Sequence, residues 1–167
     1  MAINLFRHDP KRFIPIVKKV YKEHPLLKDS KSCEELVKKL QTTEPMTQVR
    51  FEGQANEACR QNNAEIVEKN EAVPEKGGNI TKYNAITGEE KASVCFEYTM
   101  VKFEGSYADE FIALELALDW DREGEEGKNS PLLDKEISMV GISNKAHKAC
   151  INVIQILYIR QTSNALE

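Results

Sequence analysis

The sequence predicts an α+β fold, a small β-sheet with helices packed on it, preceded by an N-terminal helical lobe. Three observations carry this reading. Apolar residues recur at helical spacing through residues 1–70. The period then shortens toward two between 79 and 103. After that, helical and strand-like segments alternate to about residue 161, an order that places helices on a sheet.

The elements follow from local signals. Asp9-Pro10 opens a helix with Phe13, Ile16, Val17, Val20 and Tyr21 on one stripe, and Pro25 closes it. Ser32 with Glu35 has capping-box spacing, with Leu36, Val37 and Leu40 as the apolar face behind it. Asn56 is the expected N-cap of a third helix reaching about Asn70, with Cys59, Asn63, Ile66 and Val67 inward. Residues 79–86 and 92–103 read as strands, with Val94, Phe96, Tyr98 and Met100 on one face. Thr87-Gly88-Glu89 between them suggests a hairpin. Residues 107–120 are the strongest helical stripe, through Phe111, Leu114 and Leu118. A charged loop over 121–130 leads to a short apolar strand at 137–142. Ser143 or Asn144 then caps a last helix to about Gln161, with Ala146, Cys150, Val153, Ile154 and Leu157 inward. The expected division is a helical lobe over 1–70 and an α/β core over 79–161, or one single domain over 1–161.

Composition bounds the function. The chain has 167 residues, 41% hydrophobic and 30% charged, with a formal net charge of −4. That is the balance of a globular chain rather than a disordered one. No apolar run approaches the length of a membrane span, so no membrane partner is expected. Residues 1–50 hold 11 Lys/Arg against 6 Asp/Glu, a net of +5. Residues 51–136 hold 9 against 20, a net of −11. An acidic centre repels phosphates, and Glu97 and Glu104 are expected on the sheet surface, so nucleic acid is not an expected partner. No GxxxxGK[ST] or GxGxxG occurs to cradle a nucleotide. The cysteines, Cys33, Cys59, Cys95 and Cys150, form no CxxC, and no apolar leader precedes the first charges. Reduced thiols and a cytoplasmic home are expected, or a host cytosol if the chain is a delivered effector. Leu166-Glu167 reads as an appended pair, and the chain as a piece of a longer protein.

Two constellations carry candidate chemistry. Gln54-Ala-Asn-Glu-Ala-Cys59 places a thiol near the start of the third helix, where the helix dipole favours thiolate. The glutamine upstream has an amide to offer an oxyanion. This segment, with its flank to Asn63, resembles the nucleophile segment of papain-like cysteine hydrolases. The resemblance implies Cys59 as nucleophile, Gln54 as oxyanion donor and His147, the histidine that follows Cys59, as base. Such enzymes carry that histidine on a strand, whereas His147 is expected on a helix.

Over residues 79–161 the expected order of hairpin, helix, strand and helix resembles zinc-dependent deaminases. Ala108-Asp109-Glu110 stands where H-x-E would be, and His147-Lys-Ala-Cys150 where C-x-x-C would be. The resemblance implies Glu110 as proton shuttle and His147 and Cys150 as two zinc ligands. Ala108 cannot supply the third ligand, so an inactive version of the fold is implied. The acidic run from Asp119 to Glu126 lacks calcium-loop spacing.

The preferred reading is a non-catalytic protein-binding module of immunity, adaptor or effector type, with another protein as partner and no cofactor. A cysteine hydrolase or transferase centred on Cys59 and a zinc-dependent deaminase-like fold remain as alternatives.

Overall fold

The computed structural model describes residues 2–70, 76–88, 95–103, 107–122, 130–146 and 152–160. It is an α+β protein whose described elements are helices α1 (Ala2–His8), α2 (Ile14–Glu23), α3 (Cys33–Thr42), α4 (Gly53–Lys69), α5 (Gly78–Thr87) and α6 (Ala108–Asp121), with strands β1 (Arg50–Phe51), β2 (Cys95–Phe103), β3 (Ile137–Ala146) and β4 (Asn152–Arg160). They form two compact units, each discontinuous in sequence: residues 1–48 with 105–135, and residues 49–104 with 136–167. The expected boundary near residue 70 therefore falls inside the second unit, and α6 groups with the N-terminal helices.

In the first unit α6 is the organising element, buried on nearly every side from Phe111 to Trp120. Helices α1, α2 and α3 pack against it. Its last residue, Asp121, accepts hydrogen bonds from the hydroxyls of Ser30 and Ser32. Ser32 precedes α3 as expected, but its side chain is spent on Asp121 instead of the helix N-terminus. Phe6 and Phe13 meet edge to face at 5.2 Å. Arg7 is fully buried, and its guanidinium donates to the carbonyls of Thr47 (2.7 Å) and Asp134 (2.9 Å). A buried cation is tolerated only with such fixed partners.

The second unit holds the sheet, in order β1-β3-β4-β2. β1 runs parallel to β3, and the other pairings are antiparallel. β4 is interior to the sheet and buried from Val153 to Ile159. Helix α4 lies on β3 and β4, and α5 contacts α4 and the sheet. Ala55, Ala58, Cys59, Tyr83, Leu157 and Ile159 form the core there. The approach of α4 is close enough that a Cβ on Gly141 would lie 2.3 Å from the backbone carbon of Ala55.

Two expected elements are corrected. Residues 79–86 are helical, so no hairpin turns at Thr87-Gly88. Gly88, in the left-handed region at φ 69°, ends α5 and donates its N–H to the Asn84 carbonyl. The other end is capped by the Glu97 carboxylate, which accepts from the backbone N–H groups of Gly77, Asn79 (3.1 Å) and Ile80 (3.2 Å). Glu97 is thus engaged inside the unit rather than presented on the sheet surface. The segment expected as a last helix is strand β4. Its Val153, Ile154, Ile156, Tyr158 and Ile159 favour a pleated, two-sided burial, and an apolar run broken only by Gln155 has no period to tell a buried strand from a buried helix.

Two stability outcomes are expected. Gly141→Ala forces α4 off the sheet and destabilises by about 3 kcal/mol or more, read as a fall in the urea midpoint. Glu97→Ala strands three amide donors at the α5 N-terminus and lowers stability by about 1–3 kcal/mol, with the amide exchange of α5 rising more than that of β4.

Candidate functional site

The sequence-predicted nucleophile does not lie where its chemistry requires. Helix α4 begins at Gly53, and its N-cap is Glu52 rather than Asn56, accepting from Ala55 N–H at 2.6 Å. Cys59 is therefore in the second turn, past the first-turn amides whose dipole would favour thiolate. Its side chain is fully buried, and the thiol donates toward the Gly141 carbonyl at 3.6 Å. Burial pushes its pKa up to about 12, and the Glu97 carboxylate adds to the shift. The expected lowering is thus a raising. Gln54 is exposed in the first turn. Five residues along a helix amount to about 140° of rotation, so Gln54 and Cys59 face different directions.

His147 and Cys150 lie outside the described residues, so the imidazole base and the two expected zinc ligands have no described geometry. The element order behind the deaminase resemblance is absent: α5, β2, α6, β3, β4 replaces hairpin, helix, strand, helix. Glu110 does occupy the first turn of α6, where it pairs with Lys19 at 2.9 Å. Among the described residues, no three His, Cys, Asp or Glu side chains are placed to hold a metal ion. Among them, too, no helix is long and apolar enough to cross a membrane.

What the second unit does present is an open cleft of about 540 Å³ between the N-terminal half of α4 and the outer edge of β3. Phe51, Asn56, Glu57, Arg60, Ser143 and Asn144 contribute to its lining. The edge arises because β1 is only two residues long. Arg50 and Phe51 pair with Met139 and Val140, Glu52 donates its N–H to the Val140 carbonyl at 3.1 Å, and the chain then leaves as α4. Asn56, expected as an N-cap, carries the ladder one step further with its side chain: Oδ1 accepts the Ile142 N–H at 2.8 Å. Since backbone groups alternate sides along a strand, the Ile142 carbonyl and both backbone groups of Asn144 face this same edge. Among the described residues, no strand pairs with β3 there beyond Val140. Phe51 remains 36% exposed at the rim.

Beneath the cleft lies a buried polar layer. Asn63 is fully buried and donates through Nδ2 to the Val153 carbonyl (2.9 Å) and to Ser143 Oγ (3.0 Å). Ser143, Gln155 and Thr99 are in register across β3, β4 and β2. Gln155 Oε1 accepts from Asn62 (3.2 Å), Asn79 (2.9 Å) and Thr99 (2.6 Å). Sequence reasoning placed Asn63 inward and Ser143 at a helix cap. The polar residue within the apolar stripe of α4 was the available signal for this layer.

No protein-family model and no curated protein matches the chain. A solved structure does share its fold. It is an outer surface protein from Borrelia burgdorferi, at 12% identity and a TM-score of 0.52, covering 89% of this chain and 94% of that one. At that identity the likeness concerns the fold alone.

The thiol geometry gives a direct test. With a pKa of about 12, the Cys59 thiolate fraction at pH 8 is on the order of one in ten thousand. In native protein, iodoacetamide at pH 8 is expected to label the half-exposed Cys33 ahead of Cys59, which reacts only after urea is added. Peptide mass spectrometry reads both. Fast labelling of native Cys59 would restore the nucleophile.

Proposed function

We propose that this chain is a non-catalytic protein-binding module that takes an extended segment of a partner protein along the outer edge of β3. The observation that carries the reading is the interrupted edge: a ladder begun by β1 stops at Val140 while β3 continues to Ala146 beside an open cleft. Edge strands left in this state are templates for strand addition, with backbone pairing giving affinity and flanking pockets giving specificity. Phe51 supplies an apolar contact at the rim, and Arg60 a charged one. An immunity, adaptor or effector role would use such a surface, and the free thiols of Cys33 and Cys59 fit a reducing, intracellular compartment. The buried, protonated state of Cys59 gives a hydrolase no support.

The test is panning of a phage library of random linear dodecapeptides against the protein. Selected peptides are expected to shift the amide resonances of β3 and the first two turns of α4. Asn144→Pro, which removes an edge donor where proline is tolerated, is expected to weaken them about tenfold or more with the fold intact. Peptides that ignore Asn144→Pro and perturb another surface would overturn the assignment.

A further inference from the structure

The buried polar layer of the second unit leaves over one hydrogen-bond donor and one acceptor. Asn63 and Gln155 are both fully buried. Asn63 Nδ2 is committed to the Val153 carbonyl (2.9 Å) and to Ser143 Oγ (3.0 Å). A carbonyl can only accept, so the orientation of this carboxamide is fixed and Oδ1 is its remaining atom. Gln155 Oε1 accepts from Asn62, Asn79 and Thr99. Turning that amide round would set its NH2 against the NH2 groups of Asn62 and Asn79, so Nε2 is its remaining atom. Asn63 Oδ1 and Gln155 Nε2 are both sealed from solvent, and neither has a hydrogen-bond partner among the described residues.

The two atoms belong to one place in the fold. Ser143 and Gln155 are register partners on β3 and β4, so their side chains share a face with Cβ atoms about 5 Å apart. Asn63 is bonded to Ser143, opposite Gln155, and to Val153, two residues before Gln155 on the same strand. Ser143 and Thr99, which flank Gln155 across the sheet, are both short. The leftover donor and acceptor are complementary, yet no direct bond joins them, because each side chain is held by its other bonds.

Chemistry restricts what bridges them. The bridging group has to accept from an amide N–H and donate to an amide oxygen at once. Nε2 turns away a cation, and Oδ1 turns away an anion. Among the described residues the bonds to both carboxamides come from neutral groups only. Sealing from solvent disfavours anything larger. We propose that one internal water molecule bridges Gln155 Nε2 and Asn63 Oδ1, accepting from the first and donating to the second, with the Ser143 hydroxyl as its third contact. Buried waters make about three such bonds and serve polar groups that side chains alone leave over. This water joins two separate sets of bonds, that of Asn63 with Ser143 and Val153 and that of Gln155 with Asn62, Asn79 and Thr99. The result is one network tying α4 and α5 to β2, β3 and β4. It does not depend on what the β3 edge takes.

Two measurements on the unaltered full-length protein test the site. In a crystal structure at about 1.5 Å resolution, a single water peak is expected at about 2.7–3.2 Å from both Gln155 Nε2 and Asn63 Oδ1. In 15N-labelled protein, the Gln155 side-chain NH2 is expected to give water cross-peaks of opposite sign in laboratory-frame and rotating-frame Overhauser spectra. That sign pattern marks a water that outlasts molecular tumbling and separates it from proton exchange. A direct bond between Gln155 Nε2 and Asn63 Oδ1, or another side chain seated between them, would overturn the proposal. So would Gln155 cross-peaks that are absent or carry the sign of exchange.

Discussion

The second unit depends on one close approach, that of Ala55 on α4 to Gly141 on β3. Any side chain at 141 would collide with the helix backbone, so the glycine sets the distance at which α4 lies on the sheet. Several contacts exist only at that distance. Short side chains such as Asn56 and Asn63 reach strand backbone at Ile142 and Val153 directly. Cys59 is pressed against the Gly141 carbonyl and fully buried there. Small residues at Ala55, Ala58 and Cys59 are the helix's side of the same fit.

A close-packed helix on a sheet still leaves rotational and sliding freedom, and the polar layer removes it. Three donors from α4, α5 and β2 converge on Gln155 Oε1. Each is buried or half-buried, so a slipped register would strand several polar groups at about 1–3 kcal/mol apiece. The layer carries its own cost, because Asn63 Oδ1 and Gln155 Nε2 have no hydrogen-bond partner among the described residues. An apolar layer would avoid that penalty but would accept many registers. The Glu97 cap adds an orientation for α5, whose near-absent amphipathicity could not fix one by burial alone.

These long-range contacts explain what could be read from the sequence and what could not. The α+β class, the α3 face through Leu36, Val37 and Leu40, helix α6 and the inward side of α4 are periodic signals local to the chain, and all are present. Residues 79–86 have strand-like composition, yet they form a helix capped by Glu97, nearly twenty positions away, and packed on α4. Between Val153 and Ile159 only Gln155 interrupts the apolar run of β4, too little pattern to set its type without the neighbours that the sheet supplies. The candidate site was legible only in fragments. Asn56 and Ser143 both stood out as cap residues, and both instead carry polar contacts between α4 and β3. Cys59 attracted a nucleophile reading through its position in a motif, but the boundary of α4 and the depth of the helix, neither visible locally, decide its protonation.

The same helix explains why its thiol is not placed for chemistry. Positions 55 and 59 form one row of α4, four residues apart, and that row is sealed against Gly141. Positions 56 and 60 form the adjacent row, rotated by about 100°, and it emerges at the β3 edge. A nucleophile needs a group that is both reactive and wet. In α4 the row holding the thiol is dry, and the row facing solvent holds an amide and a guanidinium, groups that donate hydrogen bonds and do not attack. The close packing that buries Cys59 also lets Asn56 accept the Ile142 N–H and Ser143 accept from Asn63, so the row beside the thiol is committed to holding the helix on the sheet.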